Sequence, residues 1–104
     1  MRRIVLAGSP RLQDLNVLVC ESEYVLAMDV SERVATMGAT VVGRASTPEE
    51  AAALVRKHRA DVDMAIVARH LGDRVAQSIV DRLETLGVPA IIYSDTPAGE
   101  QWTV

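Results

Sequence analysis

The sequence predicts an α/β fold, a parallel sheet with helices on both faces, and three observations lead to it. Short apolar runs at 16–21, 40–45, 64–68 and 89–93 are rich in β-branched residues and lack helical spacing, as strands buried on both sides require. Longer segments between them carry apolar residues at intervals of three and four, the period of one helix face. Strand and single helix alternate, and strands joined through a helix run parallel, because a tight turn cannot connect parallel neighbours.

The elements follow in order. Met1-Arg2-Arg3 and the apolar run Ile4-Val5-Leu6-Ala7 have the charged start of a secretion signal but far too short an apolar region, so a cytoplasmic location is expected. The run is a candidate extra strand. The connection from Ser9 to Leu15 reaches at most about 25 Å, most of which a parallel return would consume, so an antiparallel strand at a sheet edge is expected. Gly8-Ser9-Pro10 reads as a turn, since the further glycines and the Gly-Lys-Ser/Thr ending of a phosphate loop are missing.

Residues 16–21 form the first buried strand. Over 24–37, Ala27, Val30, Val34 and Met37 share one helix face, and Gly38 suits the left-handed stop. A strand over 40–45 comes next. Thr47-Pro48-Glu49-Glu50 then combines an N-cap, a proline in the first turn and the glutamate of a capping box, opening a helix with Ala51, Leu54, Val55 and His58 inward. Met64-Ala65-Ile66-Val67-Ala68 is a third buried strand. After Asp73, Val75, Ala76, Ile79, Val80, Leu83 and Leu86 make an apolar stripe, Gly87 ends the helix, and Pro89-Ala90-Ile91-Ile92-Tyr93 begins a fourth strand.

The 104 residues fit one domain, 1–104, with an N-terminal extension (1–15), a core (16–95) and a C-terminal tail (96–104). A hydrophobic fraction of 49% argues against disorder, and no apolar run is long enough to cross a membrane. A net charge of -3 and a pI near 5.3 give no general attraction for nucleic acid or acidic membranes. Cys20, the only cysteine, excludes an internal disulfide and a cysteine-built metal site, and its apolar neighbours point to a buried thiol.

In parallel α/β sheets the carboxyl ends of the strands build the functional crevice, here Glu21-Ser22-Glu23, Ala68-Arg69-His70 and Ser94-Asp95. His58 and His70 fall at opposite ends of the sheet, so a shared metal site is not expected, and His70 alone reads as a solvated loop histidine.

From residue 16 to about 95 the chain resembles a response-regulator receiver (CheY-like) domain, a flavodoxin-like parallel sheet. Val17-Leu18-Val19-Cys20-Glu21-Ser22-Glu23 is similar to the first strand and acidic turn of that family, and Thr47-Pro48-Glu49-Glu50-Ala51 to its second helix start. Asp63-Met64-Ala65-Ile66-Val67-Ala68-Arg69-His70-Leu71-Gly72 resembles the third strand and loop, and Gly87-Val88-Pro89-Ala90-Ile91-Ile92-Tyr93-Ser94 the fourth strand. The resemblance implies an acidic pair for Mg²⁺, a phosphoaccepting aspartate, a sensing hydroxyl and a neutralising lysine. Glu21 retains one of the acidic pair, but Ser22 replaces the other and binds a hard cation much less well. Ala68 stands at the phosphoacceptor position, and a methyl group has no nucleophilic atom. Ser94 matches the switch hydroxyl. The only lysine, Lys57, lies in the second helix, and the sequence stops before the family's fourth helix, lysine-bearing fifth strand and last helix.

The pocket of Glu21, Ser22, Ala68 and Ser94 is therefore degenerate, with no catalytic residue, metal or cofactor expected. The resulting expectation is a phosphorylation-independent interaction module of two-component-type signalling, not an enzyme, whose partners are itself or another signalling protein. An uncovered sheet edge and helix face would favour a homodimer, with Ile91 and Trp102 as interface candidates and Trp102 folding back over its own sheet edge as the alternative. Two other readings remain open: a flavodoxin-like small-molecule or nucleotide-binding domain or small enzyme using the same crevice, and a remnant that needs a partner fragment.

Overall fold

The computed structural model describes residues 5–6, 12–96 and 99–103. In chain order the elements are β1 (Val5–Leu6), β2 (Asn16–Cys20), α1 (Tyr24–Thr36), β3 (Thr40–Ala45), α2 (Pro48–His58), β4 (Met64–Ala68), α3 (Asp73–Thr85), β5 (Ala90–Thr96) and β6 (Gly99–Thr103). They form one sheet in the order β1-β6-β5-β4-β2-β3. Four strands, β5, β4, β2 and β3, are parallel, as expected, while β6 runs antiparallel to β5 and β1 antiparallel to β6.

Strand periodicity sorts the core into two layers. On one face Leu18 and Cys20 of β2, Ala65 and Val67 of β4 and Ile92 of β5 pack with Ala51 and Val55 of α2 and Ala76, Ile79, Val80 and Leu83 of α3. On the other face Val17, Val19, Met64, Ile66, Ile91, Tyr93 and Trp102 pack with Val30 and Val34 of α1 and with Leu12. Alternate residues of a strand point to opposite faces, so a strand covered twice must be apolar throughout. β4 is accordingly buried at every position.

The helix starts and stops obey local chemistry. The Glu50 N–H donates to Thr47 Oγ1 at 3.1 Å, and Glu50 Oε2 accepts the Ser46 N–H at 3.2 Å, so the capping box closes one residue further back than its simplest form. Gly38 ends α1 with φ +94°, and a Cβ there would lie 2.4 Å from Gln13 Oε1 and 3.0 Å from the Gln13 Cα, so both conformation and space demand glycine. Val75, counted from its spacing in the inner stripe of α3, is instead exposed, because α3 buries only the narrower arc of Ala76, Ile79, Val80 and Leu83.

The C-terminal segment departs from the expected tail. Residues 99–103 form β6, paired antiparallel with β5 from Thr96 opposite Gly99 to Ile92 opposite Thr103. β1 pairs antiparallel with β6 at the sheet edge, Leu6 opposite Trp102. The edge position of β1 matches expectation, as does its antiparallel pairing, but because β6 is itself antiparallel to β5, β1 runs in the same direction as the four parallel strands, the direction that the short connection had disfavoured. Gly99-Glu100-Gln101-Trp102-Thr103 has no apolar run, so no local signal marks it as a strand.

Two interface candidates are corrected by burial. Trp102 is 0% exposed within its own chain and Ile91 is 7% exposed, so neither is a free anchor for a second copy. Trp102 folds onto its own sheet opposite Tyr93, the ring centroids 4.6 Å apart and the planes tilted by 52°. Such a tilted pair is a favourable arrangement for two aromatic quadrupoles.

Two predictions follow from this core. Trp102→Ala removes the largest fully buried side chain and should cost about 3–5 kcal/mol in urea unfolding, whatever the protein concentration. Burial pushes the Cys20 thiol up from the ordinary 9.0 to about 12. The unfolded thiol ionises first on raising the pH, so this thiol's contribution to stability is complete below pH 9.0 and is lost as the pH climbs from there toward about 12. Cys20 should therefore resist iodoacetamide at pH 8 in the folded protein and react fully in denaturant, as mass measurement will show.

Candidate functional site

Register places the site at the carboxyl ends of the three central parallel strands. Cys20 lies opposite Val67 on β4 and Ala45 on β3, and Ala68 lies opposite Tyr93 on β5. The next residue along β2, Glu21, therefore stands at the level of Ala68, and Ser94 of β5 one residue beyond it. Register thus brings the strand ends named from the sequence, at Glu21, Ala68 and Ser94, to one end of the sheet.

Glu21 is the unusual member, a carboxylate 0% exposed to solvent. Its backbone N–H donates to the Ala45 carbonyl at 2.9 Å, which extends the strand by one residue. Glu21 Oε1 accepts the Glu23 N–H at 3.0 Å, closing a tight acidic turn before α1. Glu21 Oε2 has no hydrogen-bond partner among the described residues. Its neighbour is His70 Nδ1 at 3.7 Å, on a side chain 36% exposed. That contact is longer than a hydrogen bond but within ion-pair range, and it is charged only when the imidazole is protonated.

His70 reaches Glu21 because β4 ends directly in a 3₁₀ turn, Arg69–Leu71, closed by a Gly72 N–H bond to the Arg69 carbonyl at 2.9 Å. Gly72 takes φ +94° at the junction with α3. The sequence reading of His70 as a solvated loop histidine is half right: it is partly exposed, yet it faces the buried carboxylate. Position in the crevice loop was legible; the pairing needed the turn geometry.

The other positions are chemically quiet. Ala68 is 0% exposed and presents a methyl group to the floor. Ser22 is exposed and Ser94 is half-buried. The Mg²⁺ implied by the resemblance does not fit these residues. A hard cation is held by converging carboxylate oxygens, and here a serine and a methyl group stand where the resemblance places two of them, leaving Glu21 as the buried carboxylate. Among the described residues no group of three histidine, cysteine, aspartate or glutamate side chains is placed to hold a metal.

A cleft of about 440 Å³ opens at the opposite, amino-terminal end of the strands, lined by Val55, Arg56, Val62, Leu86, Gly87 and Val88. It shares no residue with the crevice. Among the described residues no helix is long and apolar enough to cross a membrane.

Solved structures resemble this fold, whereas no family model and no curated protein matches the sequence. The response regulator PhyR from Brucella abortus is 28% identical with a TM-score of 0.63, over 79% of this chain and 34% of that one. PhyR from Bartonella quintana, described as an anti-anti-sigma factor and solved in complex with the anti-sigma factor NepR, is 25% identical with a TM-score of 0.64, over 88% and 40%. The receiver domain of PhyR from Erythrobacter litoralis is 25% identical with a TM-score of 0.62, over 80% and 64%. The chain thus spans about a third of the Brucella abortus protein it matches. Parallel sheet, helix order and these neighbours agree: the chain has the fold of a response-regulator receiver domain.

Proposed function

We propose that this chain is a phosphorylation-independent receiver-like module of two-component-type signalling that acts by protein association. One observation carries the proposal: at the end of β4, where an acceptor carboxylate would stand, Ala68 is a fully buried methyl group. No atom there can attack a phosphoryl group. A fold that keeps its crevice but loses this chemistry retains its surface as the means of signalling. The complex of a Bartonella quintana PhyR with an anti-sigma factor supports a protein as the partner.

The outer face of α1 supplies a surface for association. Tyr24, Val25 and Met28 are 66%, 76% and 46% exposed, adjacent on the first turns of the helix. The Arg44 guanidinium lies 5.6 Å from the Tyr24 ring centre and holds that ring at the crevice rim. The partner is a second copy of the chain or another signalling protein. The outer part of this helix belongs to the association surface expected from the sequence, whereas Trp102, the expected anchor, is buried.

Acetyl phosphate with Mg²⁺ should leave the intact mass unchanged, and Ala68→Asp alone should not restore phosphorylation, because Ser22 and the missing lysine leave the charge uncompensated. An acid-labile phosphate on the native chain refutes the reading. Sedimentation over a concentration series and capture from the source cell, each repeated with Val25→Asp, test the surface. A negative charge in the first turn of α1 suits the helix dipole, so the variant should fold normally and lose association. Association unaffected by Val25→Asp would move the interface elsewhere.

A further inference from the structure

We infer that the cleft at the amino-terminal end of the strands binds a small aliphatic carboxylate, its chain laid against Val55, Val62, Leu86 and Val88 and its anionic end held by Arg56. The site shares no residue with the acceptor crevice and goes beyond the reading of the chain as a phosphorylation-independent module.

Three chain segments frame the cleft: the last turn of α2 with Val55 and Arg56, Val62 ahead of β4, and Leu86, Gly87 and Val88 between α3 and β5. Val55 and Val88 are buried, and Val62 and Leu86 are half-buried against the α2–α3 core layer, so the floor is aliphatic. Gly87 is exposed with φ +79°, and a Cβ there would meet no atom within 4 Å outside its chain neighbours, which leaves the approach open. The volume of about 440 Å³ falls within the range of small-molecule sites, roughly 300–1,000 Å³.

Charge sets the class of ligand. Arg56 is the charged member of the lining, is exposed, and makes no hydrogen bond or ion pair with any described residue. Lys57 and His58 follow it at the end of α2. Of the acids on the framing segments, Asp61 and Glu84 are exposed and outside the lining, and Asp63 Oδ2 accepts the Asn16 N–H at 2.7 Å. Carbonyls at the end of α3 would repel an anion, but those of Leu83 and Glu84 already accept the Val88 and Gly87 N–H groups at 2.9 and 3.0 Å. A planar guanidinium pairs with a carboxylate through two parallel hydrogen bonds. An aliphatic acid thus uses both halves of the cleft, whereas a small polar anion uses only the arginine and an alcohol only the floor.

The test uses the full chain and hexanoate. Titration at constant ionic strength and neutral pH should give saturable amide shifts at residues 55–57, 62–63 and 86–88 and none at 20–22 or 69–70. Hexanol, the chain without the charge, and acetate, the charge with little chain, should each bind at least about tenfold more weakly than hexanoate. Hexanoate should bind Arg56→Gln more weakly by a similar factor, and because Arg56 is exposed the variant should fold as the native chain does. Absence of hexanoate shifts at these amides, equal binding by either control, or undiminished binding to Arg56→Gln overturns the inference. A short peptide ending in leucine with a free carboxylate, if it binds more than about tenfold tighter than hexanoate, overturns the assignment to a small molecule and makes the cleft a peptide site.

Discussion

Burial of the central parallel pair, β2 and β4, on both faces is the constraint from which the rest of the structure follows. These strands are apolar at consecutive positions, so neither face can be left to water. α2 and α3 cover one face and α1 the other. The same arrangement gathers the carboxyl ends of β2, β4 and β5 into one rim, which is why Glu21, Ala68 and Ser94, far apart in sequence, stand side by side. The crevice is a consequence of the layering before it has any chemistry.

The flank beyond β5 shows how the same constraint is met by other means. A receiver resemblance implies a fifth parallel strand there, and this chain instead turns back in β6, which pairs antiparallel and adds β1 outside it. The direction of the edge strand matters less than what it buries. Trp102 brings a large ring onto the α1-side face against Tyr93, and its Nε1 is left without a hydrogen-bond partner among the described residues. Apolar contact at this position evidently outweighs one unsatisfied donor, whose cost is about 1–3 kcal/mol.

At the crevice, fold and chemistry separate. The backbone that presents an acceptor in a receiver presents a methyl group here, without disturbing register or packing, since alanine fills a buried strand position well. Glu21 is a buried carboxylate at the end of β2, and the histidine two residues beyond Ala68 lies 3.7 Å from it. The exposed Tyr24, Val25 and Met28 of α1 lie on the solvent side of the helix, apart from that position.

Much of the fold was legible in the sequence. The strands over 40–45 and 64–68 and all three helices were readable because two-residue and 3.6-residue periods are local properties, and Thr47-Pro48-Glu49-Glu50 fixed a helix start by its own hydrogen bonds. Ala68 was equally legible, since absence of a nucleophile is a fact of composition at one position. The tertiary structure alone decided three things: that residues 99–103 are a strand, that Trp102 is buried in its own chain, and that His70 meets Glu21. Each depends on a contact between distant segments. An edge strand takes its stability from the neighbour it pairs with, a tail aromatic from the face it finds, and an ion pair from the turn that delivers it, none of which is written in the residues' own spacing.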